Sequence, residues 1–270
     1  MPPNSVSTNP LGLQAHGASA SRSARVFPYW LIGFLGLLTW LGILIVTNDK
    51  YNAAWHFIIP GIGTTISATI VGFLVAMLIG LLAGLGRIAR NPIARSVAQL
   101  YIEFVRGVPI LVLLFTLSLV IVPQVARGLG IPVSSITEFV RGTTSLALIY
   151  GAYLAEVFRG GIESVPKGQV EAGHSLGMSN AQTMRTVVLP QAVRNMIPAI
   201  GNDLIAMLKD SSLLSVLAIT ELTQNARLYA SSTFDFRATY IVLTFLYASM
   251  TLVLSLLLRW YRSRLGLDDD

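Results

Sequence analysis

Cysteine is absent from the 270 residues, and charge is scarce: 12% of positions are Asp, Glu, Lys or Arg, against 53% hydrophobic. Without cysteine there can be no disulfide, no thiolate metal site and no cysteine nucleophile. A soluble domain carries about a quarter charged residues. The polar surface needed to cover a water-soluble fold is therefore missing, and the mean hydropathy of +0.66 points to a membrane. Lysine is nearly missing too, since Lys50, Lys167 and Lys209 are followed by Tyr51, Gly168 and Asp210. A Walker A loop needs G-x4-G-K followed by Ser or Thr, so the chain has no such phosphate-cradling loop. His16, His56 and His174 stand apart with no second histidine nearby, which supports no metal site. H-E-x-x-H, a nucleophile elbow and a dense carboxylate cluster are likewise missing.

What is present is a succession of apolar runs. Residues 1–25, rich in Ser, Ala, Pro and Asn with Arg22 and Arg25, read as a disordered cytoplasmic tail. Residues 26–48 carry no charge, and a helix of about 20 apolar residues crosses a hydrocarbon layer of about 30 Å. This run exceeds a signal-peptide core and lacks an A-x-A cleavage site, so it reads as an additional N-terminal transmembrane helix. A second span covers 62–85, where Gly80 and Gly84 stand at the four-residue spacing that lets helix backbones approach closely. A third covers 108–122, and Pro109 should bend its beginning because it removes a donor and disfavours helix at Val108. The fourth, fifth and sixth cover 143–160, 192–208 and 238–258. The fifth is the weakest, with Pro198, Gly201 and Asp203 inside it and Lys209 at its end. The expected fold is an all-α polytopic transmembrane bundle of about six spans.

Net charge is 19 Lys and Arg against 13 Asp and Glu, or +6. Basic residues concentrate in cytoplasmic loops. With the tail inside, 12 of them fall on the cytoplasmic side and 5 outside, with Arg106 and Lys209 at membrane depth. Both termini are therefore expected in the cytoplasm, and topology accounts for the basic excess without nucleic acid.

Between the fourth and fifth spans, residues 162–190 are too polar for lipid and too few for a domain. Pro166 can open a helix over 167–176, Gly177 can stop it, and Ser179 can cap a second one. The segment contains Glu171, Ala172, Gly173, then Gly177, then Val187, Leu189 and Pro190. It resembles the cytoplasmic loop of the membrane-spanning subunits of bacterial ABC importers, whose pattern is E-A-A-x3-G-x9-I-x-L-P, with Gly173 in place of the second Ala and Val187 in place of Ile. The stretch from Gly151 to Gly161, with Arg106-Gly107-Val108-Pro109 and Lys209-Asp210-Ser211-Ser212-Leu213, is similar to the polar amino-acid branch, the histidine and glutamine permease type. The resemblance covers about residues 57–264, the expected type I importer domain with a five-span core, and leaves residues 1–50 outside.

The resemblance implies a permease subunit of the bacterial inner membrane that carries polar L-amino acids. It implies that a coupling helix with Glu171, Ala172, Gly173, Ser175, Leu176 and Gly177 docks on a separate ATPase. Small Ala172 and Gly173 would allow close approach, and Glu171 would accept from a basic residue of that partner. The implied partners are two ABC ATPase subunits, a second permease subunit, identical or homologous, an extracytoplasmic amino-acid-binding protein and membrane lipid. ATP and Mg would sit on the ATPases, leaving this chain without a cofactor. A membrane-embedded enzyme or an ATP-independent channel is the alternative class.

Charges at membrane depth cost about 2.5–3.5 kcal/mol each on insertion scales, so Glu103, Arg106, Glu156, Asp203 and Lys209 require partners or a purpose. Glu156 and Arg159 stand three apart and can pair on one helix, as can Glu103 and Arg106. Asn202 and Lys209 share one face of the fifth span, while Asp203 and Asp210 share another. Beside the Pro198 and Gly201 break, this suggests a translocation path lined by Glu156, Asn202, Asp203, Lys209 and Asp210. Alternatively Lys209 only caps the helix C-terminus and Asp210 or Ser211 begins the next short helix.

Overall fold

The computed structural model describes residues 29–266; the expected disordered tail lies outside them. Every regular element among the described residues is helical, in agreement with the expected all-α class. The chain begins with α1 (Tyr29–Thr47) and α2 (Asp49–Ile58), which passes through the turn Ile59–Gly61 into α3 (Ile62–Arg87). Next come α4 (Pro92–Gly107), α5 (Ile110–Phe115) and α6 (Val122–Gly128), then α7 (Glu138–Glu163) and α8 (Lys167–Ser175). The remainder is α9 (Asn180–Thr183), α10 (Leu189–Asp210), α11 (Leu222–Thr233) and α12 (Phe236–Arg264).

Local chemistry sets most of the boundaries. Asn91 accepts from the N–H groups of Ile93 and Ala94, with Pro92 in the first turn, and so starts α4. Thr137 and Asp235 cap α7 and α12 in the same way, accepting from Val140 N and Ala238 N. Val108 is extended, at φ −110° and ψ 140°, as the following proline requires. Wider π-helical turns at Thr116–Ile121 and Met184–Val188 join α5 to α6 and α9 to α10. Each ends two residues before a proline, Pro123 or Pro190, whose ring would meet the carbonyl four residues back in an α-helix.

The bundle is organised around α3 and α7. A Cβ on Gly80 would lie 2.7 Å from Leu154 Cβ and 3.0 Å from the Gly151 carbonyl oxygen, and one on Gly84 would lie 2.9 Å from that of Ala155. The small-residue spacing read from the sequence is thus the contact itself. Since Gly80 meets Gly151 and Gly84 meets Ala155, the two helices run parallel. Helix α10 runs antiparallel to α7, because Tyr150 meets Asp210 while Gly161 faces Met196. Helix α1 lies antiparallel along α12, with Gly42 beside Phe245 and Arg259 over the Trp30 ring. Residues 30 and 259 are therefore at one level of the bundle.

Leu114, Leu146, Ile149, Leu154 and Met207 form the main core, while Ile45, Ile58, Leu222 and Val242 form a second one beneath α1. The outer faces are apolar too: Trp30, Leu35, Trp40 and Val46 of α1, Leu74, Leu78 and Leu82 of α3, and Val253 and Leu257 of α12 are exposed. A surface of that extent belongs against lipid. By length and composition four helices can cross a membrane: Tyr29–Thr47, Asp49–Arg87, Ile110–Gly128 and Phe236–Arg264. The expected fourth and fifth spans, α7 and α10, are long enough at 26 and 22 residues but more polar. Much of α7 is covered by neighbouring helices, so its composition does not have to match hydrocarbon.

Candidate functional site

The segment between α7 and α10 forms two short helices in a tight turn. Gly177 has a φ of +80°, a conformation that favours glycine, and its N–H donates to the His174 carbonyl while Met178 N–H donates to that of Gly173. These two bonds complete a Schellman ending for α8. Two residues on, Ser179 Oγ accepts from Gln182 N and the Gln182 side chain accepts from Ser179 N, a reciprocal capping box that begins α9. Pro166, Gly177 and Ser179 therefore act as the sequence indicates. At the base of the loop, Asn195 Nδ2 donates to Ser164 Oγ at 2.8 Å and ties α10 back to the end of α7.

The outward side of this turn is open. Glu171, Ala172, Ser175, Leu176 and Gly177 are exposed, Leu176 at 79%. Among the described residues no group hydrogen-bonds or ion-pairs with the Glu171 carboxylate. Gly173 faces the other way: it is buried, and a Cβ there would sit 3.0 Å from Thr183 Cγ2. Its small size serves the packing of α8 on α9 rather than the outer surface.

The candidate path residues are distributed over several places. Glu156 is 18% exposed, with Arg159 Nη2 at 2.8 Å, Arg87 Nε at 3.5 Å and Arg106 Nη1 at 3.7 Å. Arg159 also pairs with Glu163. The expected Glu156–Arg159 pair is present, but Arg106 turns to Glu156 rather than Glu103, and Glu103 meets Arg87 at 3.5 Å. One carboxylate thus links α3, α4 and α7. Tyr150 and Gly161 mark the face of α7 toward α10, and at about 100° per residue Glu156 lies roughly 120° away from it.

On α10, Asp210 accepts the Tyr150 hydroxyl at 2.8 Å, a cross-helix bond instead of a local cap. Asp203 has a buried Oδ2 without a hydrogen-bond partner. Lys209 lines a groove of about 460 Å3 with Ser212, Thr223, Thr244, Tyr247 and Thr251, and Asn202 opens on a separate cavity shared with α12. The sequence reading missed Tyr150 and the fully buried Glu221, which accepts from Thr223 N, Gln224 N and Tyr247 Oη. Tyrosines on apolar helices, whose hydroxyls need partners when buried, were the available signal.

An apolar helical bundle with an exposed, well-capped polar turn has the form of a membrane component. A family model described as "binding-protein-dependent transport system inner membrane component" matches residues 76–267, and the chain belongs to that family. It is thus a multi-pass inner-membrane transport component. It is 39% identical over 194 residues to a probable amino-acid ABC transporter permease protein of Bacillus subtilis, YckA, covering 72% of this chain and 82% of the relative. It is 34% identical to the glutamine transport system permease protein GlnP of Escherichia coli, covering 80% and 97%. Among solved structures, an amino acid ABC transporter crystallised with histidines matches at a TM-score of 0.71 and 35% identity, covering 82% of this chain and 98% of that one. The MetNI methionine transporter, at 20% identity and a TM-score of 0.60, shares the fold.

Proposed function

We propose that the chain is the permease subunit of an ATP-driven importer of polar L-amino acids, coupled through residues 162–190 to separate ATPase subunits. The observation that carries this reading is the exposed α8 turn, where Glu171 has no partner among the described residues and is held in a frame formed by Gly177 and the Ser179 capping box. The printed functions of YckA and GlnP, both amino-acid permeases, support the substrate class. In this reading two ATPases carrying ATP and Mg dock on the turns of two permease subunits, identical or homologous. A binding protein delivers substrate from outside. Helices α7 and α10 cross the membrane as well, giving six spans with α1 as an addition to the five-span core, and both termini face the cytoplasm. The pairing of Trp30 with Arg259 supports termini on one side.

Movement of the ATPases reaches the spans through α8. The turn follows directly on the end of α7, where Asn195 of α10 bonds to Ser164, and is joined to α10 by a helix that continues from residue 180 to 210, so a push on it tilts both. Substrate then passes along α10, where Asp203 offers a carboxylate to an α-ammonium group and the Lys209 groove offers an ammonium and hydroxyls to a carboxylate. Glu156, neutralised by three arginines, is structural in this account. The test is Glu171→Ala in the assembled transporter: amino-acid uptake and substrate-stimulated ATP hydrolysis should fall together while membrane insertion stays normal. Normal uptake by the variant, or full activity of the permease without an ATPase, overturns the reading.

A further inference from the structure

The polar cavity between α10 and α12 has no part in the proposed transport path. It measures about 120 Å3, and Asn202, Ser255, Arg259, Tyr261 and Arg262 are among the residues that line it. At about 30 Å3 per water molecule, it holds a few waters or one phosphate group. Gly201 narrows its closed side, since a Cβ there would already touch Leu258 at 3.3 Å. The wall includes no Asp or Glu among the described residues. Among the described residues neither Arg259 nor Arg262 forms an ion pair, and Arg259 only stacks on Trp30 at 6.0 Å.

Two arginines on the wall of one pocket, with no carboxylate among its described lining residues, favour an anion. Their depth identifies its source. Trp30, Trp260 and Tyr261 are exposed at the same level, 60%, 59% and 50%, and form the aromatic belt that marks the headgroup region. One to two turns along α12 toward mid-membrane, Val253, Leu256 and Leu257 are exposed and apolar. A cationic pocket at headgroup depth below an apolar helix face matches a molecule with a phosphate at one end and acyl chains at the other. The geometry points to a binding site for an anionic phospholipid, its phosphate held by Arg259 and Arg262 with hydrogen bonds from Asn202 and Ser255, and its chains along α12. Basic pockets of this kind between transmembrane helices bind anionic headgroups. Asn202 then belongs to the lipid site and not to the substrate path.

Native mass spectrometry of the assembled transporter in detergent, titrated with phosphatidylglycerol or with phosphatidylcholine of the same chains, tests this. Phosphatidylglycerol should be retained at one molecule per permease subunit, at least tenfold more strongly than phosphatidylcholine. Arg259→Gln/Arg262→Gln should abolish that preference, and Arg264→Gln, outside the cavity, should preserve it. If the double variant fails to assemble, Asn202→Asp, nearly isosteric, places a carboxylate against the phosphate and should reduce retention about tenfold. Equal retention of both lipids, or retention unchanged by these variants, overturns the proposal. So does displacement of phosphatidylglycerol by a transported amino acid, which would make the pocket a substrate carboxylate site. Loss of uptake in Glu171→Ala has no bearing on lipid retention, so the two readings fail separately.

Discussion

Replacing Gly80 by alanine adds a single methyl group where α3 and α7 lie in close contact. Carbon atoms pack at about 3.5–4.0 Å, and the new Cβ would stand 2.7 Å from Leu154 Cβ, 3.0 Å from the Gly151 oxygen and 3.1 Å from Ala155 N. None of these atoms can rotate away, since two are backbone and the third is fixed to it. Helices α3 and α7 must therefore separate by about 1 Å, an overpacking cost of about 1–3 kcal/mol. Alanine also gains about 1 kcal/mol over glycine in helix propensity, so Gly80→Ala alone understates the clash. Gly33→Ala is the control, because nothing lies within 4 Å of a Cβ there and it has the same propensity gain. The difference between the two variants isolates the contact. At about 2–4 °C per kcal/mol for a chain of this size, Gly80→Ala should melt roughly 2–12 °C below Gly33→Ala in detergent, followed by the fluorescence of the four tryptophans. Equal melting temperatures would refute the close parallel packing of α3 on α7.

Other contacts give equally direct expectations. Tyr150→Phe and Asp210→Asn should each destabilise the permease, and a double-mutant cycle should return a coupling of about 1.5 kcal/mol for a bond to a charged group; zero coupling would mean that the 2.8 Å bond is not formed. Gly177→Ala forces a Cβ into a left-handed conformation at φ +80°, at a cost of about 1–2 kcal/mol. Limited proteolysis of the α8 turn should then accelerate about tenfold with insertion unchanged, and an unaltered cleavage rate would remove the Schellman ending as a determinant of that turn.

The parts of the candidate site written in neighbouring residues were legible in advance. Pro166, Gly177 and Ser179 begin and end their helices through backbone groups only a few positions away, so the frame of the turn follows from local order. Gly173 was misjudged for the opposite reason: its small size answers to Thr183, ten residues on, which no pattern of neighbours reveals. The same limit applies to the charges. Glu103 and Arg106, three apart, look like a pair, yet each takes a different partner because α4 packs beside both α3 and α7. Residues 92–107 form a half-polar helix of 16 residues that the apolar runs do not mark as a separate element.

By itself the sequence determined the solvent, the helical class and the position of the polar turn between α7 and α10. Scarcity of charge, the length of the apolar runs and the chemistry of helix ends act residue by residue or over one turn. Tertiary structure decided which helices lie side by side, and hence that Glu156 answers to three arginines and Asp210 to Tyr150. It also decided that Asn202 opens on a cavity with Arg259 and Arg262. Those pairings depend on register between helices tens of residues apart in the chain, which for α3 and α7 is set where Gly80 and Gly84 let the backbones touch.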